Sequence, residues 1–330
     1  MKNINKPSAK ELIIANKQFL TLIGIAIAFY VFSFSVSSTR FTSILHISSF
    51  MTLAALGQTL VFLIAGIDLS VASLLSASAI LFTTLLNDSV PFSLTIVIVI
   101  FCSALFGMIN GLGVSFLKIP ALVMTVATQY ILRGITLIAT NGKPISLDGE
   151  KFSYWVNRSF IGSITGGMFV MFLSVTLLMG LLYLTKFGRE VRFFGSNEKV
   201  AFLSGVNIKK ITILTYLIAA AFTGLTGIML VGYTGTAAVR IGDSYLLPSI
   251  AAVLLGGTSP LGGKGNFVRT LVGAFILTNI VSLLTVFQMP EATRQIIQGF
   301  VVLVFIVINN TELTKKVIRR KGQKVSGEIS

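Results

Sequence analysis

The chain has 330 residues, of which 54% are hydrophobic and only 11% are charged, and its mean hydropathy is +0.90. A soluble domain carries roughly a quarter charged residues, so lipid must cover much of the apolar surface here. The net charge of +15 comes from 26 basic and 11 acidic residues. The basic residues gather in three segments that would share one side of a membrane, which argues against a nucleic-acid partner.

Uncharged apolar windows of about 20 residues, the length of a membrane-spanning helix, recur along the chain. They predict an all-α integral membrane protein with about ten transmembrane helices. The first window is too long for the core of a signal peptide and no small-x-small cleavage site follows it, so we expect a retained helix. The predicted spans are 19–38, 46–66, 69–87, 92–117, 120–140, 164–185, 211–231, 246–257, 267–287 and 293–310.

Charge predicts the orientation of these spans. An even number of spans places the N- and C-termini on the same side, and with both in the cytoplasm the inner side carries about three times as many basic residues as the outer side. The predicted organisation is a cytoplasmic basic tail over 1–18, a single transmembrane domain over 19–310 and a second basic tail over 311–330. Segment 186–210 then becomes a long cytoplasmic loop.

At two places the sequence predicts irregular backbone of the kind that lines a transport pathway. The eighth span is short and bounded by glycines, and the second and third spans meet with almost no linker at 65–70. Glycines at helical spacing predict close packing between helices rather than contact with a transported solute. These glycines are Gly107 and Gly111, and Gly224 and Gly227.

Catalytic patterns are nearly absent. The only histidine is His46 and the only cysteine is Cys102, so we expect no metal site, no disulfide and no cofactor. The stretch 257–265 imitates a phosphate-binding loop, but Thr258 stands where glycine is required and Gly265 where serine or threonine is required. We therefore expect a chain that is not an enzyme and does not hydrolyse ATP itself.

Few ionisable groups lie within spans, which argues against a proton-driven carrier but leaves a passive facilitator open. Asp68 and Arg133 are the two charges most exposed to a low dielectric, and one hypothesis is that they pair with each other. Alternatively Asp68 caps the third helix, or contacts the solute. Neutral polar residues could line the pathway or link helices. They are Gln58, Thr59, Asn110, Gln129 and Asn279.

Four segments carry a family signature. They are 57–76 (GQTLVFLIAGIDLSVASLLS), 132–146 (LRGITLIATNGKPIS), 185–206 (TKFGREVRFFGSNEKVAFLSGV) and 245–265 (YLLPSIAAVLLGGTSPLGGKG). In this order and spacing they resemble the membrane permeases of bacterial ribose-type ABC sugar importers. Val200 stands where that family carries a small residue. The resemblance extends over about residues 20–310.

The resemblance implies a permease subunit of an ATP-binding-cassette importer in the bacterial cytoplasmic (inner) membrane, which moves a ribose-like pentose or related monosaccharide by alternating access. The implied partners are a cytoplasmic ATPase, an extracytoplasmic sugar-binding protein, a second permease subunit in a homo- or heterodimer, and the lipid bilayer. Alternatives are the same architecture for another small solute, such as a furanose-like signalling molecule or a branched-chain amino acid, and a passive facilitator.

The resemblance also implies that segment 186–210 docks on the ATPase. From the residues alone, an ordinary basic loop held by lipid headgroups fits equally well. The candidate ATPase-coupling residues are Gly188, Arg189, Arg192, Gly195, Asn197, Ala201, Ser204 and Gly205. The candidate pathway or structural residues are Gln58, Thr59, Asp68, Ser70, Arg133, Asn141, Gly256, Gly257 and Thr258.

Overall fold

The computed structural model describes residues 17–36, 38–162 and 164–309, and this part of the chain forms thirteen α-helices and four short β-strands. The helices are α1 Lys17–Val36, α2 Ser38–Leu63, α3 Val71–Asn87, α4 Phe92–Ser115, α5 Ala121–Thr140, α6 Glu150–Asn157, α7 Gly166–Leu184, α8 Lys186–Ser196, α9 Glu198–Leu203, α10 Ile208–Thr234, α11 Asp243–Leu255, α12 Phe267–Val286 and α13 Glu291–Asn309. The strands are β1 Ile145–Ser146, β2 Ser159–Ile161, β3 Ile164–Thr165 and β4 Thr236–Ala237. β1 pairs with β4 and β2 with β3, both antiparallel.

Each predicted apolar segment coincides with one helix, namely α1 to α5, α7 and α10 to α13. α2 begins earlier than predicted, at Ser38. Within the described residues, six helices are long and apolar enough to cross a membrane: α2, α4, α5, α7, α10 and α12. α3 and α11 are shorter, with 17 and 13 residues. The helical class is confirmed, and the count of ten spans stays a prediction.

The predicted loops contain short elements of their own. The segment after α5 holds β1, α6 and β2, and segment 186–210 holds the two short helices α8 and α9. The tail predicted over 1–18 lies outside the described residues except for its last two residues, which begin α1. The tail predicted over 311–330 lies wholly outside them.

Residues at the helix starts explain where several helices begin. Pro91 and Pro120 precede α4 and α5, where a proline sacrifices no helical hydrogen bond. The side chains of Thr165, Asn207 and Asn266 accept backbone N–H groups from the first turns of α7, α10 and α12. Such caps supply the acceptors that first-turn N–H groups lack within a helix.

Helix α10 lies at the centre of the bundle and packs against α2, α3, α4 and α6. Glycines permit this close approach, because a Cβ atom at each of them would lie 2.6 Å or less from an atom of the facing helix. The pairs of facing residues are Gly107 with Tyr216, Gly111 with Ile213, Gly224 with Ser103, and Gly227 with Leu75. The predicted packing role of these glycines is confirmed.

We predict that Gly107→Ala lowers the thermal stability of the detergent-solubilised protein, because the new methyl group would collide with the Tyr216 carbonyl oxygen and the Ala220 side chain. Overpacking of this kind costs about 1–3 kcal/mol. Gly180→Ala on α7 is the matched control, since a Cβ atom there meets nothing within 4 Å. Equal melting temperatures for both variants would contradict the packing role.

Candidate functional site

The segment between α2 and α3, residues 64–70, is not helical, and Asp68 lies within it with 1% of its surface exposed. Asp68 Oδ1 accepts hydrogen bonds from the Ser70 N–H at 2.8 Å and from the Ser70 hydroxyl at 2.5 Å. The Gln58 side-chain amide donates to the Asp68 carbonyl oxygen at 2.5 Å. The carboxyl group therefore ties this break to the start of α3.

The same hydrogen-bond network extends to α4 and α5. Asn110 Nδ2 donates to Ser70 Oγ at 3.1 Å, and Thr128 Oγ1 donates to Asn110 Oδ1 at 2.5 Å. The Leu69 N–H donates to Thr125 Oγ1 at 3.1 Å. These polar side chains are buried. Irregular backbone inside a membrane bundle needs such partners because lipid offers none.

The hypothesis that Asp68 and Arg133 pair with each other is wrong. Arg133 binds Asp243, and Asp68 makes no ion pair within the described residues. The capping alternative is close to what is seen: Ser70 occupies the N-cap position of α3, and Asp68 accepts its N–H. A side chain with 1% exposure offers no surface to a solute in this conformation.

Three other polar candidates, Gln58, Thr59 and Asn279, are fully buried. The Thr59 hydroxyl shares a hydrogen bond of 2.9 Å with the Thr270 hydroxyl on α12. Burial and such contacts between helices favour the helix-linking role over solute contact for these residues. Gln129 on α5 is only half-buried.

Further along α5, Arg133 belongs to an ion cluster. Its Nη2 lies 2.8 Å from Asp243 Oδ2, and Arg240 Nε lies 2.8 Å from the same oxygen. Since Asp243 is the first residue of α11, the cluster joins α5 to α11. Sequence reasoning missed Asp243, although an arginine within a span itself signals a need for an acidic partner. Asn141 ends α5 in a left-handed conformation, with φ 52°.

Two of the candidate coupling glycines are packing positions. A Cβ atom at Gly188 would collide with the Leu182 carbonyl group at the end of α7. A Cβ atom at Gly195 would collide with the Leu63 carbonyl oxygen at the end of α2 and lie 2.5 Å from Gly263 N. These glycines therefore seat α8 directly on the backbone of the bundle.

Helix α9 is shaped by its own caps. Asn197 Oδ1 accepts the Val200 N–H at 3.1 Å at its start, and Ser204 and Gly205 end it, with φ 83° at Gly205. Ala201 is fully buried, whereas Val200 is 46% exposed. The larger residue at 200 therefore faces outward and leaves the inner contact of α9 intact.

The solvent-exposed side of α8 and α9 carries both apolar and basic groups. Phe202 and Leu203 on α9 are 68% and 83% exposed, and Arg189 on the preceding helix α8 is exposed as well. Arg192 differs, because its Nη2 donates to the Leu182 carbonyl oxygen at 3.2 Å and its Cζ lies 4.6 Å from the centre of the Tyr183 ring. Arg192 is thus held against α7, and Arg189 is the better probe of docking.

The glycine-rich segment after α11 packs onto the break between α2 and α3. Gly257 has φ 77°, and a Cβ atom at Gly256 would lie 2.8 Å from the backbone of Arg269. Thr258 is buried, with 2% exposure. The Gly263 N–H donates to the Leu63 carbonyl oxygen at 2.9 Å. The structure thus brings together three of the four signature segments, namely 57–76, 185–206 and 245–265.

His46 on α2 lies in an aromatic cluster. Its ring centre is 5.0 Å from that of Phe50, also on α2, and 5.1 Å from that of Tyr233 on α10. Within the described ranges, no group of three or more histidine, cysteine, aspartate or glutamate residues is placed to hold a metal ion. The described residues thus contain a break between α2 and α3, an exposed surface with apolar and basic groups on α8 and α9, and an ion cluster between α5 and α11.

Comparison with known proteins identifies relatives over most of the chain. The family model described as "Branched-chain amino acid transport system / permease component" matches residues 40–306. The ribose import permease RbsC of Haemophilus influenzae is 32% identical over 308 residues, 92% of this chain and 95% of the relative. RbsC of Bacillus subtilis is 34% identical over 78% of this chain and 80% of the relative. The autoinducer 2 import permease LsrC of Photorhabdus luminescens is 29% identical over 97% of this chain and 98% of the relative. No solved structure matches significantly.

We predict that Asp68→Asn and Asp68→Ala differ in stability. The asparagine retains an oxygen that can accept the Ser70 N–H and hydroxyl, whereas alanine leaves those buried donors unpaired. Loss of a buried partner costs about 1–3 kcal/mol, so Asp68→Ala should melt at a clearly lower temperature in detergent. An equal loss in both variants would mean that the charge, and not the hydrogen-bond acceptor, matters.

Proposed function

The chain belongs to the permease family described as branched-chain amino acid transport system / permease component, and on that premise we propose that it is the membrane-spanning subunit of an ATP-driven sugar importer. It is a multi-pass transport subunit of the bacterial cytoplasmic membrane. The proposed solute is a ribose-like pentose or a related monosaccharide, which crosses by alternating access.

The observation that carries this proposal is the similarity to ribose import permeases over most of both chains. The autoinducer 2 import permeases are covered as completely, which supports a furanose-like signalling molecule as a second candidate. The family description favours a branched-chain amino acid as a third. A passive facilitator would share the helices but would need no ATPase.

We assign ATPase docking to the solvent-exposed side of α8 and α9. Phe202 and Leu203 expose large apolar side chains on a short helix, a form that suits insertion into a groove of a partner protein. Exposed apolar groups on α9, together with the exposed basic Arg189 on α8, also distinguish this segment from a purely basic loop at lipid headgroups. The close seating of α8 at Gly188 and Gly195 would pass force from the ATPase to the bundle.

The proposed topology has ten spans with both termini in the cytoplasm, supported by the distribution of basic residues. α5 presents a stripe of exposed apolar side chains at helical spacing, Ile131, Ile135 and Ile138. We propose that a second permease subunit, identical or different, shares this side of the pathway. An extracytoplasmic binding protein would deliver the sugar to the outer face.

The direct test is uptake of labelled pentoses and hexoses by vesicles containing this chain, with and without its candidate ATPase and binding protein, and with and without ATP. We expect uptake only with all components and ATP. Equal uptake by the chain alone, insensitive to ATP, would instead establish a facilitator and remove the docking role from α8 and α9.

We predict that Leu203→Glu and Arg189→Glu each reduce ATP-dependent uptake by about tenfold or more, because each places a carboxylate on the docking surface. Both side chains are exposed, so neither change should alter the melting temperature of the permease. The measurements are ATP-dependent uptake of labelled sugar by vesicles and co-purification of the ATPase with the permease.

Lys143→Glu is the control for the docking variants, since Lys143 is an exposed basic residue beyond α5, on the opposite side in the proposed topology. It should leave ATPase association unchanged. Normal ATPase association and uptake in both Leu203→Glu and Arg189→Glu would contradict docking at this surface.

A further inference from the structure

A pocket of about 680 Å³ lies beside the ion cluster of Arg133, Arg240 and Asp243. Its walls come from α5, including Tyr130 and Gly134, and from the segment that follows β4. Pockets that bind small molecules typically measure about 300–1,000 Å³, so this one has room for a monosaccharide and accompanying water.

The two arginine side chains that line this pocket both bind Asp243, Arg133 with 28% and Arg240 with 77% of its side chain exposed. Both guanidinium groups bind the same oxygen, Asp243 Oδ2, at 2.8 Å. Each guanidinium carries five N–H donors in a rigid plane, and each uses one of them on Asp243. The remaining donors of Arg133 make no other hydrogen bond within the described part of the chain. Available donors at a pocket wall are suited to recognising oxygen atoms of a ligand.

The cluster also offers an acceptor. Asp243 is 30% exposed, and its Oδ1 accepts no hydrogen bond within the described residues. Its charge offsets one of the two positive charges beside the pocket. The hydroxyl oxygens of a polyhydroxylated ligand can accept the guanidinium N–H groups that Asp243 does not use.

An aromatic side chain completes the pocket. Tyr130 precedes Arg133 by three residues, so both lie on the same side of α5, and Tyr130 is 66% exposed. The flat face of such a ring packs well against the C–H groups of a sugar, while its hydroxyl remains available for a hydrogen bond. The pocket wall thus combines the aromatic ring of Tyr130 with the guanidinium groups of two arginines.

We propose that this pocket is a binding site for a neutral monosaccharide, with Tyr130 against the sugar ring and Arg133 and Arg240 hydrogen-bonded to its hydroxyl groups, while Asp243 binds the two guanidinium groups from beside the pocket. This inference rests on the proposed function in sugar import, and it places a substrate-selecting contact within the permease itself. The ion cluster joins α5 to α11, so α11 supports the arginine side chains of the pocket wall through Asp243.

Gly134 allows a test that leaves the ion cluster untouched. It lines the pocket, and a Cβ atom there meets nothing within 4 Å. Gly134→Val therefore places its Cβ atom in open pocket space, and Gly180→Val is matched to it because a Cβ atom at Gly180 in α7 also meets nothing within 4 Å. In vesicles with ATPase, binding protein and ATP, we expect Gly134→Val to lower ribose uptake about tenfold while ATP hydrolysis persists. Gly180→Val should transport normally.

Direct binding is measured by thiol protection. Cys102, the only cysteine, is replaced by serine, and Val239→Cys is introduced in the pocket wall. In vesicles containing the full chain, we expect millimolar ribose to slow labelling of this cysteine by a membrane-impermeant maleimide. Ser159→Cys, an exposed position beyond α6, is the control and should label at the same rate with or without ribose.

Two results would overturn the site: ribose that fails to protect Val239→Cys, or Gly134→Val that transports as well as Gly180→Val. Stronger protection by galacturonate than by ribose would overturn the assignment to neutral sugars. The labelling assay requires no transport, so it tests the pocket separately from the proposed function in sugar import. The proposed function itself would be contradicted if the complex with the unchanged chain took up no monosaccharide.

Discussion

Lipid supplies no hydrogen-bond partners, so the irregular backbone between α2 and α3 depends on groups that the protein itself provides. Side chains from α2, α4 and α5 meet this need around the buried carboxyl group of Asp68. The partners are all neutral, so the break requires no second charge in the bundle. The start of α3 follows from this arrangement, and α3 in turn packs against the central helix α10.

The break is also the point where α8 contacts the bundle. Gly195 of α8 contacts the Leu63 carbonyl, and the Gly263 N–H donates to that same carbonyl oxygen. No side chain lies between the two backbones here, so α8 packs tightly against the end of α2. A displacement of α8 would therefore act directly on the break, which gives the proposed docking surface a short mechanical route into the membrane domain.

Helix α11 connects this region with the ion cluster. Its first residue, Asp243, holds Arg133 and Arg240, and the glycine-rich segment that follows its last turn packs onto the break. A helix of only 13 residues thus spans from the proposed sugar pocket to the segment next to α8.

The membrane class, the positions of the long helices and the packing role of Gly107 and Gly224 could be predicted from the sequence, since apolar windows and glycine spacing are local properties of the chain. The sequence also indicated that Asp68 and Arg133 need partners. The partners themselves are known only from the folded chain: Ser70 for Asp68, and Asp243, 110 residues away in sequence, for Arg133. Composition and periodicity carry no information about such distant pairing, because it depends on how helices are arranged side by side.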